Sequence, residues 1–308
     1  MVERSDKNSR RKTVPQPSAQ KLTLTDQQNK CMSWFENLRD QICAEFEKIE
    51  TELEGSLSDQ KAGVFEKKPW NRQDIDGSEG GGGVISIMKG RVFEKVGVNI
   101  STVYGQFSDD FRKKIPGASE DGKFWASGIS LVAHMHSPHV PAIHMNTRHI
   151  ITSQKSWFGG GADLNPPIPN EADTQEFHAA LKNTCDRHNT NYYNEYKKWC
   201  DEYFFIPHRD KPRGVGGIFY DYLNSGEWED DYAFTQDIGK TFLDIYPKLI
   251  RKHMNKSWTE AEREIQLIYR GLYAEFNLVY DRGTKFGLQT NGNPEAILMS
   301  LPPEAKWP

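Results

Sequence analysis

Residues 141–163, P-A-I-H-M-N-T-R-H-I-I-T-S-Q-K-S-W-F-G-G-G-A-D, constrain this chain more than any other stretch. Their first half reads as a strand. With a side-chain period of two, His144, Asn146 and Arg148 share one face, about 7 Å apart at each step, and Ile143, Met145 and Thr147 pack on the other. An imidazole, an amide and a guanidinium in one row are foreign to a core, because Arg is almost never buried unpaired. Such a row suits a wall that holds an anionic ligand. The second half reads as a short aromatic strand, Trp157-Phe158, running into a glycine turn that ends in the carboxylate of Asp163.

The surrounding pattern frames that row in a sheet. Strands are expected at 84–88, 91–96, 98–104, 124–135, 141–151 and 155–158, joined by short turns as in an antiparallel meander. Ser130, Val132 and His134 share one face of the fourth. The run Gly80-Gly81-Gly82-Gly83 leads into a strand and carries no Lys-Ser/Thr, so it is not a phosphate loop. It reads as a flexible or close-approach turn at the end of a polar connection over 55–80.

Helices bracket the strands. Met32, Phe35, Leu38, Ile42, Phe46, Ile49 and Leu53 recur at helical spacing over 25–54, with Thr25 or Asp26 as cap. Further helices are expected over 171–187, 192–204 and 231–253, with a glycine-led strand at 214–222. A capping box at Thr259 to Glu262 opens a helix that gives way near Glu275. Asn293-Pro294 marks a last helix start. Sheet first and helices afterwards predict an α+β fold, a large antiparallel β-sheet flanked by helices on both faces.

Of 308 residues, 36% are hydrophobic, enough for a real core, and the net charge of −4 gives no reason to expect nucleic acid. No apolar stretch reaches the roughly 20 residues of a membrane span. Cys31, Cys43, Cys185 and Cys200 show no C-x-x-C spacing and read as reduced thiols of a cytoplasmic protein. Residues 1–20 are polar, with Arg10, Arg11 and Lys12 but no apolar signal region, and are expected to be a disordered tail before one domain at 21–308. The nine histidines invite a metal site. His134, His139, His144 and His149 recur every five residues, which neither a strand nor a helix brings together.

Several long runs resemble one family, in order, from about residue 82 to the C-terminus: V-F-E-K-V-G-V at 92–98, I-H-M-N-T-R at 143–148, W-F-G-G-G-A-D at 157–163, K-W-C-D at 198–201, R-G-V-G-G-I-F at 213–219, E-F-N-L-V-Y-D-R-G-T-K-F-G-L at 275–288 and I-L-M-S-L-P at 297–302. They resemble the oxygen-dependent coproporphyrinogen III oxidases of the eukaryotic type. The resemblance implies oxidative decarboxylation of two propionates of coproporphyrinogen III to vinyl groups, giving protoporphyrinogen IX for haem biosynthesis. It implies molecular oxygen as co-substrate, no cofactor, and no metal. It also implies a homodimer, with contacts from residues 92–101 and 273–307. Some bacterial relatives have been assigned metal-binding histidines, which would match His134, His144, His178 and His208.

Roles follow from the same match. His144, Asp281 and Arg282 are the expected catalytic set, with His144 as proton donor. Arg148 and Arg282 are expected to grip propionates, since a guanidinium fork fits a carboxylate. Asp281 is expected to gather the pyrrole N–H groups and to help deprotonate one, making the ring electron-rich enough to react with oxygen. Asp163 is read either as catalytic or as a binder of backbone N–H groups in its turn. Ser130, Asn146 and Thr147 match substrate-binding positions, although Thr147 should face away from the row. Where many relatives carry Gly-x-Arg, this chain has Gly292-Asn293-Pro294. The missing guanidinium is expected to be replaced by the Asn293 helix start or by Arg213. The competing functions are a non-catalytic porphyrin carrier on the same cavity and a metal-dependent oxygenase using His134 and His144.

Overall fold

Alternating polar and apolar residues build a seven-stranded sheet in the computed structural model, which describes residues 24–74, 76–289 and 292–308. The strands are β1 (Glu66–Gln73), β2 (Glu79–Met88), β3 (Phe93–Gln106), β4 (Lys123–Met135), β5 (Ala142–Thr152), β6 (Ser156–Asn165) and β9 (Gly216–Leu223). Their order is β1-β2-β3-β4-β5-β6-β9, and every neighbouring pair is antiparallel. The two-residue strands β7 (Phe205–Ile206) and β8 (Lys211–Pro212) form a separate small ribbon. The tail expected at residues 1–20 lies outside the described residues.

One face of the sheet is apolar. Trp125, Ile129, Leu131, Ala133 and Met135 of β4 and Ile143 and Met145 of β5 point to it. Over it lie α1 (Asp26–Thr51), α3 (Glu171–His188) and α5 (Trp228–His253). A capping box between Thr25 and Gln28 starts α1. Its stripe Phe35, Leu38, Ile42, Phe46 and Ile49 is almost completely buried, with Phe46 stacked 4.6 Å from Phe93. Each such side chain contributes roughly 1.5–3 kcal/mol of burial.

The opposite face carries the polar row and is covered by α6 (Glu260–Val279), α7 (Arg282–Gln289) and α8 (Pro294–Leu298). Tyr273 of α6 meets His134 edge-on, Phe286 of α7 packs on Phe107, and Met299 sits over Gly97. The helix α4 (Tyr192–Tyr203) runs along the β9 edge, with Tyr196 near Tyr220 and Trp199 near Phe219. A short helix, α2 (Asp109–Arg112), follows β3. Helices therefore cover both faces, as expected. No helix among the described residues is long and apolar enough to cross a membrane, and all four cysteines are buried free thiols.

The structure departs from the expected elements in several places. The stretch read as a polar connection contains β1, whose Pro69 and exposed charges are tolerated because it is the edge strand. The strands expected at 91–96 and 98–104 are one, since Gly97 continues the ladder opposite Val132. Glycines 80–83 lie inside β2 rather than in a turn; a Cβ on Gly82 would stand 2.1 Å from the Trp70 carbonyl oxygen. The helix expected to give way near Glu275 runs on to Val279.

Candidate active site

The row on β5 is bonded end to end. Arg148 Nη1 donates to Asn146 Oδ1 at 2.9 Å, which turns the Asn146 amide nitrogen toward His144 Nε2 at 3.0 Å. An amide nitrogen only donates, so Nε2 accepts and the ring proton is assigned to Nδ1. From there it is donated to Asp163 Oδ1 at 2.8 Å. In this tautomer the ring gives up a proton from Nε2 only after first gaining one there.

Asp163 is the buried end of the row. The expected glycine turn is absent: residues 159–163 are the interior of β6, and Asp163 lies directly opposite His144. Its Oδ2 accepts from Arg213 Nη2 at 2.7 Å and Asn165 Nδ2 at 2.9 Å. Burial works against its charge, but the Arg213 guanidinium and the His144 bond prevail and hold its pKa down at about 2. Arg213 is only 2% exposed. Its guanidinium lies 4.1, 4.5 and 4.8 Å from the rings of Phe204, Tyr273 and Phe276, and its Nη1 donates to Asn277 Oδ1 at 3.2 Å.

The glycines of β6 let side chains meet across a strand. Arg148 on β5 reaches over Gly159 to Asp221 on β9, with Nη2 at 3.0 Å from Oδ1. A Cβ on Gly159 would stand 2.7 Å from that oxygen and 2.8 Å from that nitrogen. Gly159 also faces a bulge, because β9 has two residues, Asp221 and Tyr222, where β6 has one. Tyr222 takes up a left-handed φ of 57°, and the bulge aims Asp221 at Arg148.

The other wall is the junction of α6 and α7. Asp281 caps α7: its Oδ2 accepts from Thr284 N at 2.6 Å and Thr284 Oγ1 at 2.8 Å, and its Oδ1 from Tyr203 Oη at 2.8 Å. Burial opposes ionisation, yet these donors, with the nearby His144, pull its pKa below the usual carboxylate range. The Arg282 guanidinium lies 4.9 Å from the Tyr203 ring centroid and 5.9 Å from that of Phe219. Arg148 lies 5.9 Å from the same Phe219 ring. One aromatic floor, Phe219 stacked on Tyr203 at 4.5 Å, therefore joins both guanidinium groups to the carboxylate of Asp281, and Phe204, edge-on to both rings, meets the imidazole of His144 at 5.9 Å. Two cations over one aromatic floor with a carboxylate beside it suit a polyanionic ligand bearing N–H donors.

Residues 30–308 match the family model described as coproporphyrinogen III oxidase. The chain belongs to that family. It is 62% identical over 275 residues to the oxygen-dependent coproporphyrinogen-III oxidase of Rickettsia bellii (strain RML369-C), an alignment covering 89% of this chain and 96% of the relative. Identity is 60% to the protein of that name from Rickettsia rickettsii (strain Sheila Smith) and 59% to that from Rickettsia akari (strain Hartford), with the same coverage.

Most of the expected site residues lie on or against one face of the sheet. Ser130 is paired with Asn146 in the register and half-buried beside it. Thr147 is not brought there: it is fully buried on the opposite face, as strand alternation requires. Gly292 and Asn293 precede α8 and Pro294 is its first residue; the helix lies over β3, two strands from the row, where Asn99 Nδ2 donates to the Ala296 carbonyl. The Asn293 side chain accepts from Glu295 N at 3.0 Å, so it caps its own five-residue helix. Arg213 does not take the place of the missing guanidinium either, being held behind the row by Asp163.

The four histidines matched to metal ligands have separate partners. His134 bonds the Ser300 carbonyl, with its pKa pushed down to about 3 by burial. His144 bonds Asp163, His178 sits between the Val215 carbonyl and Tyr193 Oη, and His208 between Tyr280 Oη and Glu275. Among the described residues no three His, Cys, Asp or Glu side chains are grouped to hold a metal ion. Sequence reasoning missed Asp221, Phe219 and Tyr203. Alternation in G-V-G-G-I-F-Y-D-Y places Phe219 and Asp221 two residues apart and so marks the first two; nothing marked Tyr203.

Proposed function

We propose that this site binds coproporphyrinogen III with its propionates on Arg148 and Arg282 and its pyrrole N–H groups toward Asp281, and decarboxylates two propionates to vinyl groups. The enzyme is an oxidoreductase of haem biosynthesis. The observation that carries the reading is the single Phe219 ring reached by both guanidinium groups beside Asp281. A carboxylate held below its usual pKa is ionised at neutral pH and accepts hydrogen bonds from the pyrrole N–H groups; being a weakened base, it draws the pyrrole proton only part-way, enough to make the ring electron-rich. For each propionate the electron-rich ring passes two electrons to molecular oxygen. Carbon dioxide and a proton from the propionate carbon next to the ring depart, oxygen takes up that proton and one from solvent and leaves as hydrogen peroxide, and the pyrrole regains its N–H from Asp281, leaving the vinyl group.

On this reading oxygen is the only co-reactant, with no metal or other cofactor, as in the eukaryotic type. The named relatives are bacterial, so the type rests on the motif resemblance. The proposal includes one catalytic unit over 21–308 working as a homodimer, with residues 92–101 and 273–307 at the contact, in the cytoplasm, where four free thiols stay reduced.

The test is turnover of coproporphyrinogen by chelator-treated protein with and without oxygen. Carbon dioxide release that needs oxygen and ignores the chelator supports the reading. Product binding without carbon dioxide release points to a carrier. Activity lost to the chelator and restored by one added metal points to the metal-dependent oxygenase.

A further inference from the structure

Asp281 has four lone-pair directions, and the described residues fill three. Two on Oδ2 face the N–H and hydroxyl of Thr284, and one on Oδ1 faces the Tyr203 hydroxyl. The Thr284 bonds are local to the first turn of α7. Tyr203 comes from α4, 78 residues earlier in the chain. Its hydroxyl oxygen also accepts the backbone N–H of Arg282 at 3.0 Å, so both polar functions of the phenol are committed to the α6–α7 junction. The ring is locked in place: it stacks on Phe219 with planes 4° apart and meets Phe204 and Phe276 edge-on.

We propose that Tyr203 is a positioning residue for the reaction, whose hydroxyl orients Asp281 so that the remaining lone pair of Oδ1 points at the pyrrole N–H groups, and whose ring carries the Arg282 guanidinium. This rests on the reading of Asp281 given above. The phenol suits the task because it stays protonated: burial and the neighbouring Asp281 push its pKa up to about 12. It therefore donates at every working pH. The other charged and titratable groups facing Asp281 are His144 from β5, Arg213 from the β8–β9 connection, Tyr273 from α6 and Arg282 from α7.

Tyr203→Phe removes the hydroxyl and keeps the ring stack. Losing a donor to the ionised form raises the Asp281 pKa. The acid limb of kcat/KM is expected to move to higher pH, with kcat down about tenfold or more and KM within about threefold. A purely structural role would leave the limb in place. Should the variant fold poorly, 3-fluorotyrosine at 203, a stronger donor of the same shape, is expected to move the limb to lower pH. Limbs and kcat matching the unmodified enzyme in both, while Asp281→Asn is inactive, would overturn the role of Tyr203 alone. An Asp281→Asn enzyme with full turnover would overturn the functional reading and this role with it.

Discussion

Asp163 holds three polar partners, His144, Asn165 and Arg213, and its consequences are both structural and chemical. Its folded pKa of about 2 lies below the ordinary value of about 3.9. A depressed carboxylate stabilises the fold above its unfolded pKa, and that stabilisation is lost as pH falls through the folded one. The expected window of acid destabilisation thus runs from about pH 4 down to about pH 2. Asp163→Asn should remove this part of the pH dependence and, by leaving the Arg213 charge buried without its partner, cost about 3–5 kcal/mol at pH 7. Urea unfolding of both proteins at pH 7 and pH 3 checks this: the gap between them should narrow at the lower pH. Equal midpoints at pH 7 would mean that the Asp163–Arg213 pair contributes nothing net. The His144, Asn146 and Arg148 row was legible in the sequence because a period of two is local. The Arg213 partner was not, since its bond to Asp163 spans 50 residues and no local pattern records it.

At the level of the element, β6 shows why glycine-rich segments mislead. Three consecutive glycines read as a turn, yet here they lower the strand so that β5 and β9 side chains touch above it. The glycines differ in what they tolerate. Gly159 needs no left-handed backbone, and the atoms nearest an added methyl are the side-chain ends of the Arg148–Asp221 pair. Gly161 has φ 153° and would place a Cβ 2.1 Å from the Ile218 carbonyl oxygen. Gly159→Ala is therefore expected to fold, with KM raised about tenfold as the guanidinium is displaced. Gly161→Ala is expected to lose about 1–3 kcal/mol of stability through overpacking. Thermal melts alongside steady-state kinetics separate the two; a Gly159→Ala enzyme with an unchanged KM would mean that the ion pair does not place Arg148 for substrate. The bulge at Asp221 and Tyr222 was equally invisible, because it is defined by register against β6 and not by its own residues.

Across the whole molecule, the two faces of the sheet divide the labour: the face under α1, α3 and α5 holds the core, and the face under α6, α7 and α8 holds the site. That second layer is thin, and its outer side is not that of a finished surface. On α6, Ile265, Ile268, Leu278 and Val279 are 50, 36, 54 and 47% exposed. Trp307, 55% exposed, lies against Gly271 of the same helix, between the exposed pair Ile265 and Ile268 and the exposed pair Leu278 and Val279. Exposed apolar side chains on the outer side of a helix suit a partner surface, which the homodimer proposed above would supply. Part of this strip, Leu278, Val279 and Trp307, falls within 273–307; the other segment, 92–101, lies in β3 beneath 296–301, tied by Lys95 to the Leu301 carbonyl and by Asn99 to the Ala296 carbonyl. A second copy would thus meet the α6–α8 layer rather than β3 itself, and would press on the elements that carry Asp281 and Arg282. Sedimentation at micromolar concentration is expected to give a dimer. Ile268→Glu with Leu278→Glu should shift it to monomer without changing the far-ultraviolet spectrum, and should lower turnover by loosening the α6–α7 junction. A parent enzyme that sediments as a monomer would remove the dimer, and a monomeric variant with full turnover would separate assembly from catalysis.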